Sequence, residues 1–445
     1  MREPLSTFKR TGAFFEPFDY LECPFLPPKI VHAVVRQSIR LAHVFEHLKM
    51  NDSGSCDEDS YDKDSYYRDF YDKNSYDKNS YDKNSYDKLA SDALEELLNI
   101  AGNDGFYERL ERHHASKPEL ERLWESTMTI PPWVNWVQLE RGQLVFSRYL
   151  IPILVGFGFQ GFVGEIAAAP GPAKVLNHTK GLSAGRIWAR VSRTLQWLTK
   201  ATESVESIRP GGEGHKSTIR VRLIHALVRR GMPQNKKTTS GSSVVGVSRD
   251  KDVASCSTND GVPLNTSDMI LTLTFFCCNP MWKQLPQLWV YPTDSEKEDF
   301  VAFYRYIGYL LGIPTDLTDC LSSAAQAEQT MIALHADRKP PSLASQKITR
   351  TFVKAVTDGP PYNLSEGFVN AGIRRMNPRS VCDDLMIGEP GWLPHIAFMT
   401  LSGCVGLLTL VQSASAPLEQ LMIKVRDVSI LVCCRTSTLT TAYST

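Results

Sequence analysis

No C-x-x-C pair occurs anywhere in this chain of 445 residues, although it carries 10 cysteines. Cys277–Cys278 and Cys433–Cys434 are direct neighbours in apolar runs, so neither a disulfide framework nor a thiolate zinc site is laid out. Reduced or buried thiols and an intracellular setting are expected. Neither sign of charge prevails: Lys+Arg and Asp+Glu both number 49, which removes the electrostatic footprint of a nucleic-acid binder. The opening MREPLSTFKRTGAFFEPFDY holds no long apolar run, so no cleaved leader or starting anchor is expected there. Strand-like alternation is scarce throughout, which argues against a sheet-built fold.

What is present is helical periodicity. DALEELLNIAG is apolar at helical spacing and ends at Gly102, KPELERLWEST is a second candidate, and PPWVNWVQLERGQLVFSRYLIPILVG runs long after its prolines. Residues 186–202, 218–230, 268–277 and 296–311 complete the set, and an all-α domain over 90–400 is expected. Residues 61–88, YDKDSYYRDFYDKNSYDKNSYDKNSYDK, repeat a tyrosine-led unit every five residues. That period fits neither helix nor strand, so a disordered insertion is expected between an N-terminal segment 1–60 and the domain. Residues 233–260 read as a long loop insertion, and 401–445 as a poorly specified tail. Two segments are uncharged. Residues 149–164 are short for a bilayer and read as a buried helix, while 396–418 could attach to a membrane.

Three motifs lack the partners their chemistry needs. HVFEH, His43 to His47, satisfies H-x-x-E-H, but a zinc site of that type wants a third ligand on an enclosing domain. GFGFQG, Gly156 to Gly161, matches G-x-G-x-x-G, yet no acidic residue lies between Glu165 and Glu203 to hold a ribose. Gly158, Gly161 and Gly164 instead suit the close approach of a neighbouring helix or a flat ligand. The arginines at 220, 222, 229 and 230 have no aromatic residues among them, and a solvated face with some carboxylate pairing is the better account.

Two stretches keep a functional reading open. In RVSRTLQWL, Arg190, Arg193 and Thr194 fall three and four apart, beside the apolar row Ile187, Val191, Leu195 and Leu198. Two cations and a hydroxyl there form either an interhelical ion-pair cluster or a site. In STIRVRLIHALVRRGM, His225 shares a face with Val221, Ile224 and Val228 and so points inward. On the residues alone, a satisfied core histidine is favoured over a ligand.

R-x-x-[KR]-T on one helix, followed some thirty residues later by VRLIHALVR, resembles the rubber oxygenase (latex clearing protein) family and its fungal, endoplasmic-reticulum-bound relatives of mycophenolic acid biosynthesis. WVNWVQLERGQLVFSRY, GVPLNTSDMILT and FYRYIGYLLGIP occur in the family's order, so the resemblance covers roughly residues 127–315. It implies haem b in a globin-like helical core with additional helices, and His225 as the ligand of the iron. Arg190 and Thr194 would match the family's polar pair, and Arg193 falls where relatives carry a lysine that could stabilise negative charge developing on oxygen. Charge alone pairs Arg222 and Arg229 with the haem propionates. The implied activity is that of an oxygenase that uses dioxygen to cleave or oxidise C=C bonds of an apolar isoprenoid or polyene in secondary metabolism. The implied setting is intracellular, at the endoplasmic reticulum membrane. Some relatives are thought to use a glutamate as base; no carboxylate here matches it, Glu165 being the nearest in sequence. Two other functions stay open: a haem-binding protein without turnover, and a cofactor-free, membrane-associated helical protein in which His225 is a core residue.

Overall fold

The computed structural model describes residues 87–102, 104–178, 184–232, 264–313, 318–336, 338–358 and 364–413. Among them no strand occurs, and the expected all-α class holds. His43 to His47, residues 61–86 of the repeat and the insertion 233–260 lie outside the described residues.

The described chain starts inside the polar repeat. Asp87, the aspartate of its last Tyr-Asp-Lys unit, accepts a hydrogen bond from the Ala90 N–H at 3.2 Å and caps α1 (Lys88–Asn99). The expectation that all of 61–88 is disordered is therefore corrected at Asp87 and Lys88, because composition cannot distinguish one repeat aspartate that has a helix to cap. α2 (Phe106–His113) and α3 (Pro118–Met128) follow, the latter with proline in its first turn where no N–H is needed. The long run 131–156 divides at Tyr149 into α4 (Trp136–Arg148), capped by Asn135, and α5 (Leu150–Gly156).

α5 passes directly into a π-helical stretch, Phe157–Ala167. Then come α6 (Pro170–His178), α7 (Ala184–Thr202), α8 (Glu213–Gly231) and α9 (Thr266–Asn279). A second π-helical turn at Pro280–Gln284 leads toward α10 (Asp294–Leu310), whose Thr293 and Glu296 form a capping box. α11 (Ala324–Ala336), α12 (Leu343–Asp358), α13 (Glu366–Met376) and α14 (Trp392–Ser413) complete the described chain.

The main core joins α1–α5 to α7–α10 around the fully buried Phe300, Phe303, Tyr304 and Tyr306 of α10. α10 lies along α4, and Gly142 makes the approach possible: a Cβ there would stand 2.3 Å from the Asp299 carbonyl oxygen. Arg141 fixes the same junction with bonds of 2.7 and 2.8 Å to the Asp299 carboxylate. Of Gly158, Gly161 and Gly164, two serve packing as expected. A Cβ on Gly161 would stand 1.9 Å from the Phe275 ring and one on Gly164 1.6 Å from Asn377, whereas Gly158 faces open space.

The boundary expected near residue 400 is also corrected, since α14 runs to Ser413. Its uncharged sequence lacks the amphipathic stripe that signals a surface helix. Gly403 and Gly406 seat it on Trp289 and the Leu288 carbonyl. Trp392, Leu393, Ile396 and Leu410 remain exposed. Leu150–Ala167, equally apolar, is mostly buried and is a core segment.

Candidate functional site

α7 and α8 pack side by side, and two contacts fix their register. Trp197 Nε1 donates to Thr218 Oγ1 at 3.0 Å, and a Cβ on Gly214 would stand 2.9 Å from the Ala201 Cα. Residue numbers fall on one helix as they rise on the other, so the pair is antiparallel. Seven residues before Trp197 is Arg190, and seven after Thr218 is His225. Seven residues are two helical turns, which return to nearly the same face. Arg190 thus stands level with His225, with Arg193 and Thr194 about one turn nearer Trp197.

Two histidines on α8 have opposite fates. His215 is fully buried and satisfied: Nε2 donates to the Thr127 carbonyl at 2.8 Å, and Nδ1 accepts from the Gly211 N–H at 3.3 Å. Nothing in the sequence had singled it out. His225 Nδ1 is enclosed without any hydrogen bond, while the ring as a whole keeps some accessible surface. Its burial, then the charge of Arg229, lower its pKa to about 4, with Asp87 pulling the other way. The imidazole is therefore neutral near pH 7 and retains an unshared nitrogen lone pair. Leaving such a group unsatisfied costs about 1–3 kcal/mol. The residues alone favour a satisfied core histidine at position 225, yet it is His215, ten positions earlier, whose ring nitrogens both have partners.

Arg190, Arg193 and Thr194 are all half-buried. Thr199 and Thr202, further along α7, turn their hydroxyls back onto the Leu195 and Leu198 carbonyls at 2.8 Å. Thr194 makes no such bond among the described residues. The arginines of α8 do not form a solvated face. Arg222 is buried and gripped by Asp87, with Nε to Oδ2 at 2.7 Å and Nη2 to Oδ1 at 3.1 Å. Arg229 is fully buried and reaches the Leu264 carbonyl at 3.5 Å. Arg220 pairs with Glu108, and Arg230 with Glu95 at 2.7 Å.

Glu165 sits in the first π-helical stretch, fully enclosed by donors. Gln160 (2.6 Å) and His335 (2.9 Å) bond Oε1, Arg338 bonds Oε2, and Lys283 stands 4.0 Å away. Burial pushes its pKa up, but the His335 hydrogen bond and the charges of Arg338, His335 and Lys283 together outweigh it and hold the carboxyl ionised. With its acceptors occupied, it is a fixed counter-charge rather than an available base. A groove of about 620 Å³ between α4, the start of α10 and α14 contains no residue of α7 or α8. Its arginines are engaged, Arg141 with Asp299 and Arg148 with Glu296.

Residues 148–406, more than half of the chain, match the family described as ER-bound oxygenase mpaB/B'/Rubber oxygenase, catalytic domain. The chain belongs to this oxygenase family. Among solved structures it is similar to the one titled "Structure of Latex Clearing Protein LCP in the closed state", with a TM-score of 0.54 and 15% identity. The similarity covers 78% of this chain and 91% of that one, and at this identity it speaks for the fold. No curated protein matches. Arg190, Arg193, Thr194, Arg222, His225 and Arg229 all fall within the oxygenase span, whereas α1–α3 precede it.

Proposed function

We propose that the chain is a haem b-dependent oxygenase that uses dioxygen to cleave C=C bonds of an apolar isoprenoid or polyene. The observation that carries this reading is the His225 imidazole, neutral and with Nδ1 lacking a hydrogen bond, beside Val221, Ile224 and Val228 and flanked by Arg222 and Arg229. A haem iron needs one unprotonated imidazole nitrogen, and this ring supplies it. The half-buried Val221 and Ile224 on the same face suit an apolar macrocycle.

When bound, the haem supplies the redox chemistry with dioxygen, which the protein cannot supply itself. Cleavage of one C=C by one O₂ gives two carbonyls, so atoms and electrons balance without a further reductant. The chain's part is to orient and to stabilise. Arg190, level with His225, and Arg193 and Thr194, one turn along α7, are the residues we assign to stabilising negative charge that develops on oxygen. Arg229, buried one turn beyond His225, is the cation we assign to a propionate. Arg222, although first paired with a propionate on charge alone, we assign to Asp87, whose carboxylate already holds it in both directions.

Family membership supports a setting at the endoplasmic reticulum membrane, and α14 is the segment suited to touch a bilayer. It is uncharged, and its exposed face carries Trp392, Leu393, Ile396 and Leu410. Oxygen uptake by the haem-loaded chain with polyisoprene and shorter isoprenoids, with trapping of carbonyl products, tests the activity. A carbonyl formed for each half of the cleaved bond supports it. A haem-loaded chain that consumes no oxygen with any polyene is a sensor or carrier instead.

A further inference from the structure

The helix that bears His225 is fastened from outside the oxygenase span. Four ties run to α8 from the segment that precedes residue 148. His215 reaches the Thr127 carbonyl at the end of α3, Arg220 pairs with Glu108 of α2, Arg222 with Asp87 at the cap of α1, and Arg230 with Glu95 of α1. They are distributed along the helix on both sides of His225.

These ties differ in kind. Glu95 and Arg230 keep 41% and 31% of their side-chain surface exposed, and pairs of that sort contribute little. Asp87 and Arg222 keep 3% and 5%, so their charges are poorly screened. The pair is also closed in by Gly312 at the end of α10. That residue has a φ of +81°, and a Cβ there would stand 2.4 Å from Asp87 Oδ2 and 2.5 Å from Arg222 Nε. Backbone conformation and space both favour glycine at this spot. Asp87 thus performs two tasks at once, starting α1 and holding α8 three residues from the imidazole.

We propose that α1–α3 form a clamp on the haem-ligand helix and that Asp87, acting through Arg222, is a positioning residue that sets the seating and the charge environment of His225. This rests on the haem reading above. The buried Asp87–Arg222 pair anchors α8 one turn before His225, and no hydrogen bond to Nδ1 fixes the ring, so the placing of α8 must do so.

The test uses the full chain loaded with haem, and compares Asp87→Asn with Glu95→Gln and with the double variant Asp87→Leu/Arg222→Met. The readouts are haem transfer to apomyoglobin and the ferric/ferrous midpoint potential. Asp87→Asn is expected to release haem about tenfold faster, in the range seen when outer partners of a metal ligand are removed. It is also expected to raise the potential, because a buried negative charge that favours the ferric state is lost. Glu95→Gln is expected to change neither. The double variant removes the pair without stranding a cation, so it keeps the fold. Haem release intermediate between the parent and Asp87→Asn is expected from it. Unchanged release and potential in Asp87→Asn, or equal changes in Glu95→Gln, would overturn the inference while leaving the haem reading intact. A parent that takes up no haem overturns both.

Discussion

Asp87 holds Arg222 with both carboxylate oxygens, and three residues further along the same helix stands His225. One end of this pair comes from a low-complexity repeat and the other from the oxygenase domain. Removing one partner of a buried pair leaves the other charge uncompensated, so Asp87→Ala should lower stability by about 3–5 kcal/mol. Urea unfolding of the apoprotein checks this, and the Asp87→Leu/Arg222→Met double variant should recover most of the loss.

The His225 imidazole gives the apoprotein a pH dependence of definite sign. Its folded pKa is lowered to about 4, whereas an unfolded histidine titrates near 6.5. Between these values the unfolded chain binds the extra proton. Stability is therefore fully present above about pH 6.5 and falls as the pH drops toward 4, by at most about 3 kcal/mol. Unfolding curves at pH 7 and pH 5 should show the loss, and His225→Leu should flatten the slope by that amount.

The paired glycines of the π-helical stretch separate packing from propensity. Gly161→Ala drives a methyl group into the Phe275 ring and should destabilise by about 1–3 kcal/mol. Gly158→Ala meets nothing within 4 Å and should be neutral, or stabilising by a few tenths of a kcal/mol. Thermal melts of the two variants distinguish them. Equal effects would contradict the packing described for Gly161.

Glu165 holds His335, Arg338 and Lys283 together, and Glu165→Gln should cost about 3–5 kcal/mol at pH 7. Its folded pKa is depressed, so the stabilisation is present above the unfolded carboxylate range and is lost as pH falls through the folded value. The gap between parent and variant should therefore narrow in acid. Denaturation at pH 7 and at pH 3.5 measures that gap.

The helices were legible wherever an apolar stripe met a solvated face. α7, α8, α9 and α10 lie where periodicity puts them, although α8 starts earlier because EGHKS carries no stripe. The oxygenase family was legible from spaced motifs, and the register of Trp197 with Thr218 now sets Arg190 level with His225. What periodicity could not show is which histidine is satisfied: His215 and His225 share a helix, and only the Thr127 carbonyl and the Gly211 N–H tell them apart. Nor could composition reveal that Asp87, at the end of the repeat, is buried. Carboxylate pairing of the α8 arginines was expected, but that the partner of Arg222 is Asp87 was not legible, because it lies 135 positions away.

The central claim is that His225 ligates haem iron. The most direct measurement is the visible spectrum of the full chain supplied with haem, beside His225→Ala, with helix content of both followed by far-ultraviolet circular dichroism. The account predicts a Soret band in the parent that is lost or strongly shifted in the variant, at unchanged helix content. A folded parent that takes up no haem, or a variant whose haem spectrum equals the parent's, would contradict it.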